Sequence, residues 1–395
     1  MRNCIDFDPT ELEAALTDLD SAYNPAERML RHPFGSPGYH TQHAGEWVHG
    51  TRVAGEYALA LCDSGDADRL SRAVGIIDRL LSLQDTNPDS NTYGIWSWFL
   101  EEPLPDMAPP DWNWADFIGT YLIQIAMDHG DRLPPDTADR LDQGALHAAR
   151  SIIRRDVGPA YTNIALMGTH VTFCVGEHYR DDEVLAYARA RLRRFVEHTR
   201  EHGAFSEYNS PTYTSLAARI IARMGRDIED EAAQPLVSWL YDLVWGDIAQ
   251  HFHPPTRQWS GPHSRNYSTL LGTRELAFFQ RALGGNVRLM DGPLAPDPEA
   301  ARLKARCPAK YVEYFQSIHE PREVVQVYGK GAPPVVGTTY LNDTVSLASV
   351  NRGNFWNQQR AIVGYWNGSN PSALQVQVLH DGYDYSSACV FTQQS

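Results

Sequence analysis

The chain has 395 residues, 43% of them hydrophobic, and a formal net charge of -15 at pH 7. This length and composition predict a large core, in two domains or in one long repetitive domain. The acidic net charge excludes a general electrostatic attraction to nucleic acid or to anionic membranes. The sequence contains no apolar run of about 18 residues, so it predicts no membrane span.

The first residues, MRNCIDFDPTELEAAL, contain neither an apolar signal region nor a cleavage signal, which favours a cytoplasmic location. The cysteines stand at positions 4, 62, 174, 307 and 389, and no two of them form a CxxC pair. An odd number of widely spaced cysteines predicts free thiols in a reducing compartment.

Up to about residue 285, the sequence predicts one helix after another. The predicted helices cover about 10–21, 45–63, 67–84, 114–129, 136–155, 160–179, 182–201, 211–225, 229–250 and 268–283. Asp182 opens one helix that ends at Gly203, and Ser210 followed by Pro211 marks another helix start. No repeat of fixed length is visible, which favours helical hairpins in an (α/α) toroid over a regular solenoid.

Beyond about residue 320 the pattern changes to β-branched, partly alternating segments at 324–328, 345–350, 361–366 and 374–380. The predicted fold is therefore mainly α, an incomplete (α/α) toroid of helical hairpins followed by a C-terminal antiparallel β-sheet domain. The predicted division is a catalytic toroid at 1–285, a linker at 286–322 and the β-sheet domain at 323–395.

One segment, 248–274, is rich in basic side chains and contains no Asp or Glu. Its basic residues are His251, His253, Arg257, His263, Arg265 and Arg274. Arginine binds carboxylates through two parallel hydrogen bonds, so the segment is typical of a site for a carboxylated ligand. Alternatively, its arginines cap helix ends or pair with acids elsewhere.

A second segment, 203–217, turns into a helix and carries Glu207, Tyr208, Asn209 and Tyr213. Loops held on a rigid scaffold often carry functional residues. A tyrosine there can exchange protons if nearby cations lower its pKa. Packing is the alternative for each of these tyrosines.

In a third segment, 161–179, Asn163 and His170 are seven positions apart and project from one helix face. They point either into the central cleft of a toroid or into a helix interface, and helix capping is a further alternative for Asn163.

The fourth segment, 91–117, combines tryptophans with acids. The tryptophans are Trp96, Trp98, Trp112 and Trp114, and the acids are Glu101, Glu102, Asp106, Asp111 and Asp116. Aromatic rings stack on sugars and carboxylate pairs cleave glycosidic bonds, although a loop packed by its own tryptophans has the same composition. His49 and Arg52 stand at a helix start upstream. No metal or nucleotide motif is present, so we expect no cofactor and no metal.

The run GAFSEYNSPTYTS at 203–215 resembles a segment of the toroid polysaccharide lyases, the chondroitin, heparinase-like, alginate and glucuronan lyase group. The resemblance implies that Tyr213 acts on the sugar C5 proton and the leaving oxygen. SGPHSR at 260–265 resembles the Arg-rich segment of that group and implies Arg265 in the cleft, and TNIALM implies that Asn163 neutralises the substrate carboxylate. The three segments also follow one another in the family order.

Two departures from the family pattern affect the predicted site. Tyr208 and Asn209 stand where the family has a histidine, so His263 or His170 is expected to supply an imidazole. The first arginine of the Arg-rich segment is also missing. Arg265 is expected to make ionisation of the Tyr213 phenol easier by Coulomb attraction.

The predicted function is β-elimination on a uronic-acid-containing polysaccharide of glucuronan or alginate type. The expected catalytic residues are Tyr213, Asn163, His263 and Arg265. The expected substrate-binding residues are Tyr208, Asn209, Tyr267, His170, Trp112, Trp114, Trp96 and Arg52. The expected partner is an acidic polysaccharide or oligosaccharide, with neither nucleic acid nor membrane, and the oligomeric state stays open.

Two alternatives belong to other classes of protein. One is an (α/α)-toroid glycoside hydrolase that uses two carboxylates among Asp111, Asp116, Glu102 and Glu207. The other is a non-catalytic carbohydrate-binding protein.

Overall fold

The computed structural model of the protein describes residues 7–35, 40–285, 287–354, 358–367 and 372–386. The helices in this part are α1 Pro9–Ser21, α2 Thr51–Asp63, α3 Ala67–Leu83, α4 Trp114–His129, α5 Pro135–Arg155, α6 Thr162–His178, α7 Asp182–His202, α8 Tyr213–Asp227, α9 Gln234–His251, α10 Thr273–Ala282 and α11 Pro298–Leu303. Within these residues, no helix combines the length and the apolar character needed to cross a membrane.

The helices pair into hairpins that are arranged around a ring. Helices α2, α4, α6 and α8 contact one another in succession on the inside, and each packs against its following helix, α3, α5, α7 or α9. The inner helix α6 is buried on all sides from Thr162 to Gly176, as expected for a helix that is apolar all round. This arrangement confirms the predicted fold class of an incomplete (α/α) toroid followed by an antiparallel sheet.

The short helix α11 lies between the two ends of this ring, where it contacts α8 and α2. Glu299 of α11 forms ion pairs with Arg219 and Arg223 of α8. On the other side, Arg302 pairs with Asp63 of α2 and is 5% exposed. Residues 286–322, predicted as a linker, thus include a helix packed into the toroid, and six residues are too few for a clear periodic signal.

The described strands fall into one five-stranded sheet, one three-stranded sheet and two pairs. The strands are β1 Tyr23–Asn24, β2 Met29–Pro33, β3 Trp47–His49, β4 Phe252–His253, β5 Gln258–Trp259, β6 Arg322–Gly329, β7 Val335–Leu341, β8 Val345–Val350, β9 Ile362–Trp366, β10 Ser372–Val376, β11 Leu379–His380 and β12 Tyr383–Asp384. The large sheet has the order β10-β9-β8-β7-β6, and all of its neighbouring strands are antiparallel. The three-stranded sheet has the order β1-β2-β3, and the pairs are β4-β5 and β11-β12.

Most predicted elements lie where the sequence places them. The helix predicted from residue 45 begins at Thr51, because Trp47–His49 pairs as a strand with Arg31–Pro33. Helix α11 and strand β7 lie outside the predicted elements, as do the short strands β1, β2, β4, β5 and β12. Cys62, Cys174 and Cys307 are buried and form no disulfide within the described part of the chain, whereas Cys4 and Cys389 lie outside it.

Candidate functional site

A cavity of 790 Å³ opens among the starts of helices α4, α6 and α8. Six of the residues predicted from the sequence line it: Arg52, Trp114, Asn163, Tyr213, Arg265 and Tyr267. Trp98, Asp111, Asn113, Tyr161 and Glu207 are among the other lining residues. Parts of the chain that are more than 200 positions apart therefore meet in one cavity.

The loop between α7 and α8 places Tyr213 at the edge of this cavity. Helix α7 ends at Gly203, whose φ of 82° lies in the left-handed region that favours glycine at a helix end. Tyr213 is the first residue of α8, and its backbone N–H donates to the Ser210 hydroxyl at 3.1 Å. The same hydroxyl donates to the carbonyl oxygen of Arg265 at 2.5 Å, which fixes the two predicted site residues relative to each other.

Glu207 connects the two other predicted catalytic groups. One carboxylate oxygen accepts hydrogen bonds from the side-chain amide of Asn163 at 2.7 Å and from its backbone N–H at 2.9 Å. The other oxygen lies 2.9 Å from Nη1 of Arg265. Asn163 is in the first turn of α6, where a negative charge interacts favourably with the helix dipole. Glu207 therefore satisfies the N-terminus of α6 and orients both donors.

Arg265 and two tyrosines form the reactive corner of the cavity. The Arg265 guanidinium lies 4.2 Å from the centroid of the Tyr213 ring. The hydroxyls of Tyr213 and Tyr267 are 2.5 Å apart, and Nη2 of Arg265 donates to the Tyr267 hydroxyl at 3.3 Å. Tyr267 is 57% exposed, so a chain of hydrogen-bonding groups leads from Tyr213 to solvent.

The pKa of the Tyr213 phenol lies above its ordinary value. Burial raises this pKa most, Arg265 lowers it, and the hydrogen bond to Tyr267 raises it further. The predicted direction of the Arg265 effect is therefore right, but burial outweighs it. The phenol of Tyr213 is protonated at neutral pH in this cavity.

Aromatic side chains form the opposite wall of the cavity. The rings of Trp98 and Trp114 are stacked, with centroids 5.0 Å apart and 23° between their planes. The Trp114 indole donates to Thr51 at 2.9 Å and the Trp98 indole donates to Asp111 at 3.1 Å. Tyr161 adds a third aromatic ring. A wall of fixed, partly exposed rings can stack against the faces of sugars.

Three predicted site residues, His263, Asn209 and Tyr208, lie instead in a buried layer behind the cavity, which we call the buried seam. His263 is fully buried, and its Nδ1 donates to the carbonyl oxygen of Asn209 at 2.7 Å. The Asn209 amide donates to the carbonyl oxygens of Ser260 and Pro262, at 2.9 and 3.0 Å. Tyr208 stacks on Tyr328, with centroids 3.8 Å apart. None of the three lines the cavity, which corrects the expectation that they contact substrate.

Burial also determines the charge of the seam histidines. It lowers the pKa of His263 to about 3 and that of His251 to about 4, so both rings are neutral at physiological pH. His253 is buried and bonded to Thr256 and to the Asn342 carbonyl oxygen. Much of the basic segment 248–274 therefore serves packing, and the segment contributes Arg265 and Tyr267 to the reactive corner.

His170, Trp96 and Trp112 also lie outside the cavity lining. The fully buried His170 ring is 2.8 Å from Asp227 on α8. The Trp96 indole is fully buried and donates to the Leu80 carbonyl oxygen, and the Trp112 indole donates to that of Asn91. His170 therefore lies in a helix interface, and Trp96 and Trp112 pack within the protein, which are the alternatives to substrate binding given above.

One group of potential metal ligands exists among the described residues, formed by His170, Cys174 and Asp227 within 4.8 Å of one another. Arg226 donates to both oxygens of the Asp227 carboxylate, at 2.6 and 3.0 Å. A guanidinium bound to the only carboxylate of the group opposes a cation there. This group therefore fits an ion-paired core interaction better than a metal site.

Two residues of the site have roles that the sequence does not reveal, Glu207 and Tyr161. The sequence names Glu207 in the segment 203–217 and as an acid for the hydrolase alternative, but it does not show the position of Glu207 between Asn163 and Arg265. Tyr161 directly precedes α6 and lines the cavity beside Asn163, so its place next to a predicted site residue was the available signal.

The family model of a domain of unknown function, DUF8769, matches residues 12–283, and the chain belongs to this family. No curated protein matches the chain. Among solved structures, the chain is similar in fold to the Streptomyces coelicolor A3 chondroitin AC lyase in complex with chondroitin sulphate, with a TM-score of 0.55 and 12% sequence identity. The match covers 92% of this chain and 54% of the lyase, so the chain spans about half the length of that protein.

Proposed function

We propose that the protein is a polysaccharide lyase that cleaves a uronic-acid-containing polysaccharide of glucuronan or alginate type by β-elimination. The observation that carries the proposal is the meeting of Tyr213, Arg265 and Asn163 in one cavity, with the guanidinium 4.2 Å from the phenol ring centroid. The similarity in fold to a chondroitin lyase supports the same broad class of enzyme.

The chemical task is to remove the C5 proton of a uronate whose carboxylate is ionised. Preorganised donors that stabilise the developing enolate lower the barrier by several kcal/mol. Asn163 has a second amide N–H beyond the one bonded to Glu207, and the charged guanidinium of Arg265 lines the same cavity. The substrate carboxylate would accept the amide hydrogen bond and be attracted by the Arg265 charge, and Glu207 would keep both groups in place.

Tyr213 carries the proton in this mechanism. Its phenol first loses a proton through Tyr267 to water, and the resulting phenolate removes the proton from C5. The C4–O4 bond then breaks, a C4–C5 double bond forms, and Tyr213 returns the proton to the departing O4. Because the pKa of Tyr213 is raised, the ionised fraction and the rate are expected to increase with pH above neutrality.

A retained alternative is hydrolysis by two carboxylates, since Glu207 and Asp111 line the same cavity. Against it, both oxygens of Glu207 already accept hydrogen bonds from Asn163 or Arg265, so the carboxylate is engaged within the protein.

The test is to incubate the protein with glucuronan, alginate and unsulphated chondroitin, following ultraviolet absorbance and product mass. A lyase gives absorbance from a conjugated uronate, and its products sum to the mass of the substrate. Products that gain one water per cleavage, without new absorbance, would instead assign the protein to the hydrolases. Binding without cleavage of any polymer would contradict both enzymatic functions.

A further inference from the structure

A second cavity, of 320 Å³, lies next to the first. Arg52, Phe117, Tyr213 and Tyr267 line both cavities. We call the 790 Å³ cavity the outer cavity and the 320 Å³ cavity the inner chamber. Because Tyr213 lies at the junction, a polymer cleaved at Tyr213 would extend from the outer cavity into the inner chamber.

The inner chamber is rich in charged side chains. Its arginines are Arg52, Arg219, Arg223 and Arg274, and its acids are Glu56, Glu275 and Glu299. Arg219 and Arg223 are both ion-paired with Glu299 of α11. Arg219 also pairs with Asp297, so the two arginines and two acids neutralise one another and form a fixed wall. The remaining charged residues of the chamber are Arg52, Arg274, Glu56 and Glu275, and the first three are the groups of interest.

Arg52, Arg274 and Glu56 face the chamber without a hydrogen bond or ion pair to one another or to any other residue that the structure describes. The Arg52 guanidinium lies 4.0 Å from the centroid of the Phe117 ring. Such stacking holds the planar group in place while its N–H donors remain available. Burial and the charge of Asp297 raise the pKa of Glu56, whereas the charges of Arg274 and Arg52 lower it, so Glu56 interacts with both arginines across the chamber.

We propose that the inner chamber is a sugar subsite that binds a second acidic residue of the polymer, next to the residue whose proton Tyr213 removes. Arg274 and Arg52 bind its carboxylate, and Glu56 accepts hydrogen bonds from its hydroxyls. Guanidinium groups match the geometry of a carboxylate, whereas the side chain of Glu56 offers acceptor oxygens and so suits hydroxyls. This assignment rests on the proposed function for the position of the cleaved bond.

The consequence is a preference among acidic polysaccharides. The residue that reacts at Tyr213 must be a uronate, so an acid in the inner chamber requires two neighbouring acidic residues. Homopolymers of uronic acid meet this requirement. Polymers that alternate a uronate with a neutral sugar place the neutral sugar beside Arg274, where the carboxylate contact is lost.

The test measures binding by calorimetry in the Tyr213→Phe background, in which turnover does not interfere. The probes are a tetrasaccharide of 1,4-linked glucuronic acid and an unsulphated chondroitin tetrasaccharide, in which acidic and neutral residues alternate. Arg274→Met is compared with Arg193→Met, because Arg193 is an exposed arginine on α7 and lines neither cavity.

We expect Arg274→Met to weaken binding of the glucuronic acid tetrasaccharide about tenfold or more, as for a lost charge-assisted hydrogen bond. Binding of the alternating tetrasaccharide should change less than about twofold, and Arg193→Met should leave both affinities unchanged. Arg274→Lys, which keeps the charge without the planar fork, should give an intermediate loss.

Unchanged affinity in Arg274→Met, or equal losses for both probes, would overturn the subsite. If thermal unfolding shows that Arg274→Met is not folded, Arg274→Lys is judged by the same two criteria. Cleavage in the ultraviolet assay with binding independent of Arg274 overturns only the subsite. Binding that depends on Arg274, without cleavage of any polymer, overturns only the lyase function.

Discussion

The corner of the cavity formed by Tyr213, Arg265 and Tyr267, called the wall below, and the buried seam behind it both draw on the stretches 203–213 and 251–267, yet their polar residues have opposite environments. On the wall, Arg265 and Tyr267 line the open cavity. In the seam, Asn209 donates two hydrogen bonds to backbone carbonyls and accepts one from the Trp259 indole. Residue type alone therefore does not separate a site residue from a packing residue.

The difference follows from how many partners each polar group already has. A buried amide bonded three times within the protein has little capacity left for a ligand, and removing it leaves its partners unsatisfied. A phenol at the cavity edge has one protein partner and open space beside it. Substitutions on the wall should thus affect activity, and substitutions in the seam should affect stability.

The largest effect is expected for Tyr213→Phe, which removes the proposed proton carrier. We expect the rate of cleavage to fall about a thousandfold, within the range for a lost general acid–base group, while the unfolding temperature changes little. The matched seam variant is Tyr208→Phe, which keeps the stack on Tyr328 and should retain activity. Equal activity of the two variants in the ultraviolet assay would break the distinction between wall and seam.

Asn209→Ala should mainly reduce stability. The substitution removes three buried hydrogen bonds and puts alanine at a φ of 42°, which asparagine tolerates better. We expect a loss of about 3 kcal/mol in the free energy of unfolding, measured by denaturant titration, with near-normal activity per folded molecule. An inactive variant of normal stability would instead make Asn209 a substrate contact.

His263→Phe should change how stability depends on pH. The folded-state pKa of His263 is about 3, whereas an unfolded histidine titrates near 6.5, so acid protonates only the unfolded chain over this interval. The stabilisation is complete above about pH 6.5 and is lost as pH falls toward 3, by about 1.4 kcal/mol per pH unit. Wild type should therefore lose stability faster than the variant between pH 6.5 and pH 5.

The comparison of wild type with His263→Phe isolates the contribution of His263 to the pH dependence of stability. Buried Asp247, whose pKa is raised to about 7, stabilises the folded state as pH falls, and it does so in both proteins. Parallel stability curves from circular dichroism for wild type and variant would contradict a buried, neutral His263.

The smallest effect is expected for Glu207→Gln, which replaces the ion-pair partner of Arg265 on the wall. The charge of Glu207 raises the pKa of Tyr213, so removing it lowers that pKa and moves the rise of activity with pH to lower pH. We expect a shift of about half a pH unit, because Arg265 and burial remain. A lower rate with an unshifted pH profile would mean that Glu207 only orients Asn163 and Arg265.

The sequence predicts the ring and most of its helices because each helix has strong periodicity and boundary signals, as α7 does from Asp182 to Gly203. It also predicts Tyr213, Arg265 and Asn163, whose types suit a carboxylated ligand. It could not predict that His263 is turned inward while Arg265, two positions later, faces the cavity. That distinction depends on the bridge between His263 and Arg360, a pairing of residues far apart in sequence.

The closure of the ring by α11 has a consequence for the order of assembly. Asp63 and Asp128 are synthesised early, but their ion-pair partner Arg302 follows more than 170 residues later in the chain. Until it arrives, two carboxylates stand at an open gap without their cation, and a fragment ending near residue 283 would keep that gap. Helix α11, which is synthesised late, thus closes the ring and gives the inner chamber its final shape.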